Sequence, residues 1–223
     1  MINELLFIIH IALISICLLG ALRFGKEALI ALITLYCILA NSFVLKQMTI
    51  CSFQVTCTDA FMVGTVLGLN LLQEYFGKPI ARKAIAISFA ASILYALLGI
   101  LHICYAPSAY DMYHASYVAL LTPVPRIVLA SLFVYLLVQI TDYYIFGALK
   151  KIFGSRYLIA RLWITIALTQ LLDTVLFSFL GLYGIVDNIS QLIIVSYTIK
   201  MLVLVGSTPF MALSKKIVKE PIT

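Results

Sequence analysis

Apolar residues run through this chain in seven long windows: 5–22, 27–45, 57–76, 84–105, 126–148, 161–183 and 190–212. Each is close to the about 20 residues a helix needs to cross a bilayer, and each predicts a spanning helix. The third is the weakest, because Thr58, Asp59, Asn70, Gln73 and Glu74 interrupt it; a broken or re-entrant segment there would leave six spans. Between the second and third windows, KQMTICSFQVTCT reads as an outer loop or as the ragged start of the third helix. The tyrosine-rich connection after the fourth, with Tyr105, Tyr110, Tyr113 and Tyr117, suits an interfacial aromatic belt or a lid.

The polar exceptions inside the windows carry most of the information. Arg161–Phe177, RLWITIALTQLLDTVLF, holds Gln170 and Asp173 near its middle. Gln139, Asp142 and Phe146 repeat the same Q-x-x-D-x-x-x-F spacing in the window before, ending against Phe177 in the second copy. Residues at i, i+3 and i+7 share a helix face, so each copy presents an amide, a carboxylate and a ring together. An Asp in the middle of a span costs about 2.5–3.5 kcal/mol on insertion scales, so such residues face a cavity or a partner and mark a ligand or ion path. At 1.5 Å per residue, Asp142 lies about 9 Å and Asp173 about 18 Å from the same side, which argues against one shared proton.

Lys200 lies 10 or more residues from either end of the last window, beyond the reach of snorkelling. It needs a partner, with Asp173 the first candidate and Asp142 the second; a purely structural ion pair is the competing reading. Ser207-Thr208-Pro209 then predicts an interruption and kink. At the far end of the third window, Asn70, Gln73 and Glu74 fall on one polar face before Gly77 and Pro79. They either contribute to a binding face or leave Glu74 to pair with Lys78 or Arg82. Gly64 and Gly68 form a G-x-x-x-G that permits a close helix contact, within one protomer or between two.

Composition settles the class. The chain is 64% hydrophobic and 11% charged with a mean hydropathy of +1.12, whereas soluble domains are about 45–50% apolar. The expectation is an all-α integral membrane protein, a polytopic bundle of six or seven spans, forming one domain over residues 1–223. Basic residues alternate by side: Arg23, Lys26, Lys78, Arg82, Lys83, Lys150, Lys151, Arg156, Arg161, Lys215, Lys216 and Lys219 against Lys46 and Arg126. The positive-inside rule then puts the N-terminus outside and the C-terminus inside. Met1–Glu4 lacks the basic start of a signal peptide, so the first segment is expected to be retained. The net charge of +6 is thus a topology signal that meets acidic lipid head groups rather than nucleic acid. Five cysteines without a C-x-x-C pair and three scattered histidines predict no metal and no cofactor; Cys51 and Cys57 are close enough in sequence to pair. His10 reads as a hydrogen-bonded helix residue.

The order of these motifs resembles one family. Asn70-x-x-Gln73-Glu74-x-Phe76-Gly77, the Q-x-x-D-x-x-x-F of the fifth window, Arg161 with Thr169-Gln170-x-x-Asp173-Thr174-x-x-Phe177, and Tyr197-x-x-Lys200 with Thr208-Pro209 are similar to the queuosine-precursor transporters, also called the vitamin uptake transporters, over about residues 54 to 212. The resemblance implies a bacterial inner-membrane importer, not an enzyme, that takes a small nucleobase, a 7-deazaguanine such as preQ0, preQ1 or queuine, for tRNA modification. It implies a substrate site among Asn70, Gln73, Glu74, Gln139, Asp142, Arg161, Gln170, Asp173 and Lys200, with Tyr143, Phe146, Trp163 and Phe177 as stacking candidates. The family pattern has Asp at Asn70, Asn at Gln73, two Asn at Leu162 and Trp163, and often Asp at Ser207; these departures bear on the substrate rather than the family.

Other classes fit less well. A substrate-capturing subunit of an ATP-driven importer would need a separate ATPase chain, since no G-x-x-x-x-G-K-[ST] loop is present. An intramembrane aspartyl protease would be expected to show G-x-G-D, and neither Asp142 nor Asp173 has it. A structural protein would have no use for three charges inside the membrane, and a homo-oligomer stays open.

Overall fold

The structure is a computed structural model that describes residues 2–50, 52–153 and 158–217. The chain runs α1 (Ile2–Phe24), α2 (Lys26–Phe43), a hairpin of β1 (Gln47–Ile50) and β2 (Phe53–Thr56), α3 (Asp59–Phe76), α4 (Lys78–Ile103), a short α5 (His114–Leu121), α6 (Val124–Phe153), α7 (Leu158–Phe177) with a π-helical turn at Ser178–Leu182, and α8 (Ile189–Ile217). Six helices among the described residues are long and apolar enough to cross a membrane. The protein is an all-α polytopic membrane protein, in keeping with the apolar windows.

The helix α3 falls outside those six and explains the weak third window. It is one continuous helix of 18 residues, neither broken nor re-entrant. One side of it packs into protein: Ala60, Val63, Gly64, Leu67, Gly68, Leu71 and Leu72 are all buried, packed against α1, α2 and α4. A helix shielded from hydrocarbon by its neighbours can carry polar residues that a lipid-facing helix cannot. By contrast, α1 turns Ile2, Leu5, Leu6, Ile9, Leu13 and Ile16 outward, as a lipid-facing helix does.

Gly64 and Gly68 mark where this packing is closest, and the contact lies within the protomer. A Cβ on Gly68 would come within 2.7 Å of the Ile33 side chain and 3.0 Å of Leu18, and one on Gly64 within 2.9 Å of the Tyr36 ring. Bundles in lipid gain stability from such backbone approach, since there is no hydrophobic force between their helices. Gly68→Val is therefore expected to destabilise the fold by about 1–3 kcal/mol through overpacking, read as a lowered melting temperature and a smaller monodisperse fraction in detergent. An unchanged melting temperature would show that α3 can move away from α2 without loss.

Two further corrections concern local structure. KQMTICSFQVTCT is neither a loop nor helix but an antiparallel hairpin, with Gln47 opposite Thr56 and Ile50 opposite Phe53. Asn3 Nδ2 donates to Thr49 O at 2.9 Å and Gln54 N to Gln191 Oε1 at 2.9 Å, tying the hairpin to α1 and α8. The helix α8 is uninterrupted through Pro209. Cys51 lies outside the described residues, and with it the question of a Cys51–Cys57 pairing. At the hairpin end, Val44, Ile127, Leu182, Val186 and Leu192 form a second core, and Arg126 Nε donates to Leu180 O at 2.9 Å, fixing the π turn to α6.

Candidate functional site

The site is assembled from α7, α8 and the start of α3. Asp173 lies near the C-terminal end of α7, and Thr174 beside it donates to Gln170 O at 2.7 Å, an i to i−4 bond that leaves the hydroxyl oxygen free to accept. Lys200 Nζ donates to Asp173 Oδ2 at 2.5 Å and to Thr174 Oγ1 at 3.1 Å. The side chains are only 17% and 27% exposed, so both charges are largely withdrawn from solvent and satisfied by each other. One turn earlier on the same face of α8, Ser196 Oγ donates to Asp59 Oδ2 at 2.8 Å. Asp59 is 6% exposed and sits in the first turn of α3.

Two cavities flank this cluster. The larger, about 320 Å³, is enclosed by α2, α3, α4, α6, α7 and α8. Its polar groups include Asn41, Thr65, Ser88, Ser92, Gln139 and Gln170, set in walls such as Ile33, Val63, Leu69, Ile166 and Val203. Phe89 and Tyr135 also line it, with ring centroids 5.1 Å apart. The smaller, about 70 Å³, lies toward the hairpin, bounded by Val44, Thr56, Thr58, Ser178, Leu182 and Leu192. The residues Asn41, Asp59, Ser131, Asp173 and Lys200 line both, so the charged cluster stands between the two compartments. An apolar cavity of this volume with a few convergent polar groups has the build of a small-molecule site.

Of the residues singled out from sequence, Gln139, Gln170, Asp173 and Lys200 converge on the large cavity. Lys200 has taken Asp173, its first candidate partner. Asp142, half-buried on α6, is not among the lining residues, and neither are Asn70, Gln73 and Glu74, the last two of which are exposed near the end of α3. Trp163 is 42% exposed and lines neither cavity, whereas Phe177 lines the smaller one. The side chains of Tyr143, Phe146 and Arg161 lie outside the described residues. Tyr105, Tyr110, Tyr113 and Tyr117 are exposed and line neither cavity.

Sequence reasoning missed Asp59 and the Phe89–Tyr135 pair. Asp59 was visible only as an interruption of a hydrophobic window; its partner is 137 positions away on α8. In helix α4, whose window 84–105 holds no charged residue, Ser88, Phe89 and Ser92 form a cavity face. The i, i+4 serines were the available signal, and they are equally common in plain helix packing.

Apolar helices around a central cavity, with a charged cluster in its wall, define a multi-pass membrane protein built to hold a small solute. Residues 58–214 match the family described as "Putative vitamin uptake transporter", and the chain belongs to that family. It is thus a membrane transporter. It is also similar to a curated protein of Bacillus subtilis (strain 168) named "Probable queuosine precursor transporter", at 29% identity over 205 residues that cover 87% of this chain and 86% of that protein. No solved structure matches.

Proposed function

We propose that the chain imports a queuosine precursor, a 7-deazaguanine base, across the bacterial cell membrane, and that the large cavity holds it. The observation that carries this reading is the convergence of Asp173, Lys200, Gln139 and Gln170 on one cavity that also contains the Phe89–Tyr135 pair. A deazaguanine edge offers a ring N–H and an exocyclic amino group, two donors in line that a carboxylate accepts as a bidentate pair. The carbonyl beside them accepts from a glutamine amide. The flat ring stacks on Phe89 or Tyr135. Asp142, deeper toward the basic connections, serves as a second station on the path, and those connections face the cytoplasm. Nothing in this chemistry breaks a covalent bond, so the protein acts as a carrier and not an enzyme.

The test is uptake in cells lacking both deazaguanine synthesis and their own importer, fed preQ0, preQ1 or queuine separately and assayed for queuosine in tRNA. Restoration by at least one base is expected, and Gln170→Leu is expected to lower the initial rate about tenfold, the worth of one hydrogen bond to the carbonyl. No restoration by any base at confirmed membrane expression would overturn the reading.

A further inference from the structure

A ligand that takes the Asp173 carboxylate must displace the lysine already bound to it. The displaced ammonium is then left in a largely dry wall, where an unpaired charge is costly. Among the described residues lining either cavity, the only other carboxylate is Asp59. It lines both cavities, as Lys200 does. Ser196, which holds it, stands one turn before Lys200 on the same face of α8, a rise of about 6 Å. The four-carbon stem of a lysine is flexible enough to cover that distance.

We infer that Asp59 is a positioning residue of the site: it is the counter-charge that receives the Lys200 ammonium when a ligand engages Asp173. The inference rests on the reading that substrate binds Asp173. Asp59 itself need not touch the ligand. Because the cluster stands between the two compartments, the exchange moves the ammonium toward the hairpin side and leaves Asp173 open to the large cavity. Each state keeps the lysine paired, so no unpaired ammonium arises in passing between them.

A double-mutant cycle on the purified full chain tests this, with equilibrium binding of tritiated preQ0 and of tritiated preQ1 read on the monodisperse fraction. Asp59→Asn is expected to raise Kd about tenfold, a typical coupling for neighbouring charged groups. Asp59→Glu, which keeps the receiving charge, stays within about threefold of the unmodified protein. In a Lys200→Met background, where nothing needs receiving, Asp59→Asn changes Kd by less than about threefold. Should Asp59→Asn fail to fold, Asp59→Ser takes its place in both backgrounds. An unchanged Kd for Asp59→Asn, or an equal loss with and without Lys200, overturns the exchange. Asp173→Asn is run alongside: binding retained there removes the underlying site, whereas binding lost there with Asp59→Asn at the unmodified Kd removes only the role of Asp59.

Discussion

Uptake of the base falls at least about 100-fold when Asp173 is replaced by Asn at matched membrane expression. The carboxylate supplies two charge-assisted acceptors, each contributing about 1.5–3 kcal/mol, and 2.7 kcal/mol already corresponds to 100-fold. The amide loses the charge and one acceptor oxygen, and turns an N–H₂ donor toward a donor edge on the substrate. It also leaves Lys200 without the partner that now holds it at 2.5 Å. Initial rates of labelled-base entry provide the measurement, and a variant within about threefold of the unmodified protein would detach Asp173 from the ligand.

The second large effect is on stability. Lys200→Met is expected to lower the stability of the folded protein by about 3 kcal/mol, the low end for breaking a buried ion pair, because the pair keeps some access to the cavity. The neutral double variant Asp173→Asn with Lys200→Met leaves no orphaned charge and should recover most of that loss in melting temperature. It should not recover uptake. This divergence between stability and transport separates a functional pair from a structural one: a pair kept only for packing would be replaceable by neutral residues with transport intact.

The fold was largely legible, since a chain this apolar can satisfy its backbone only with helices, and the windows marked them. Asp173 and Lys200 were legible for a related reason: a charge far from both ends of a span has few excuses, and each points to the other. The third helix was harder to read. Its polar residues looked like a break in a lipid-facing span, but Thr58 and Asp59 are buried, Asp59 against Ser196 of α8, a contact that only the assembled bundle supplies, while Gln73 and Glu74 are exposed at the helix end. Asp59 was hidden for that reason, standing at the edge of a window with its partners on a helix at the other end of the chain. Repetition of a motif also did not guarantee shared surroundings. Gln139 and Gln170 both reach the large cavity, yet Asp173 lines it and Asp142 does not. Equivalent spacing fixes a face of a helix, and the depth along the membrane decides what that face meets.

The central claim is that Asp173 reads the donor edge of a deazaguanine in the large cavity, and competition binding tests it most directly. Tritiated preQ0 bound to the purified protein would be displaced by 7-deazaguanine and, separately, by 7-deazahypoxanthine, which lacks the exocyclic amino group. The predicted result is at least about tenfold weaker competition by the deamino analogue on the unmodified protein, the cost of one missing charge-assisted bond. Equal competition by both analogues on the unmodified protein would contradict the claim.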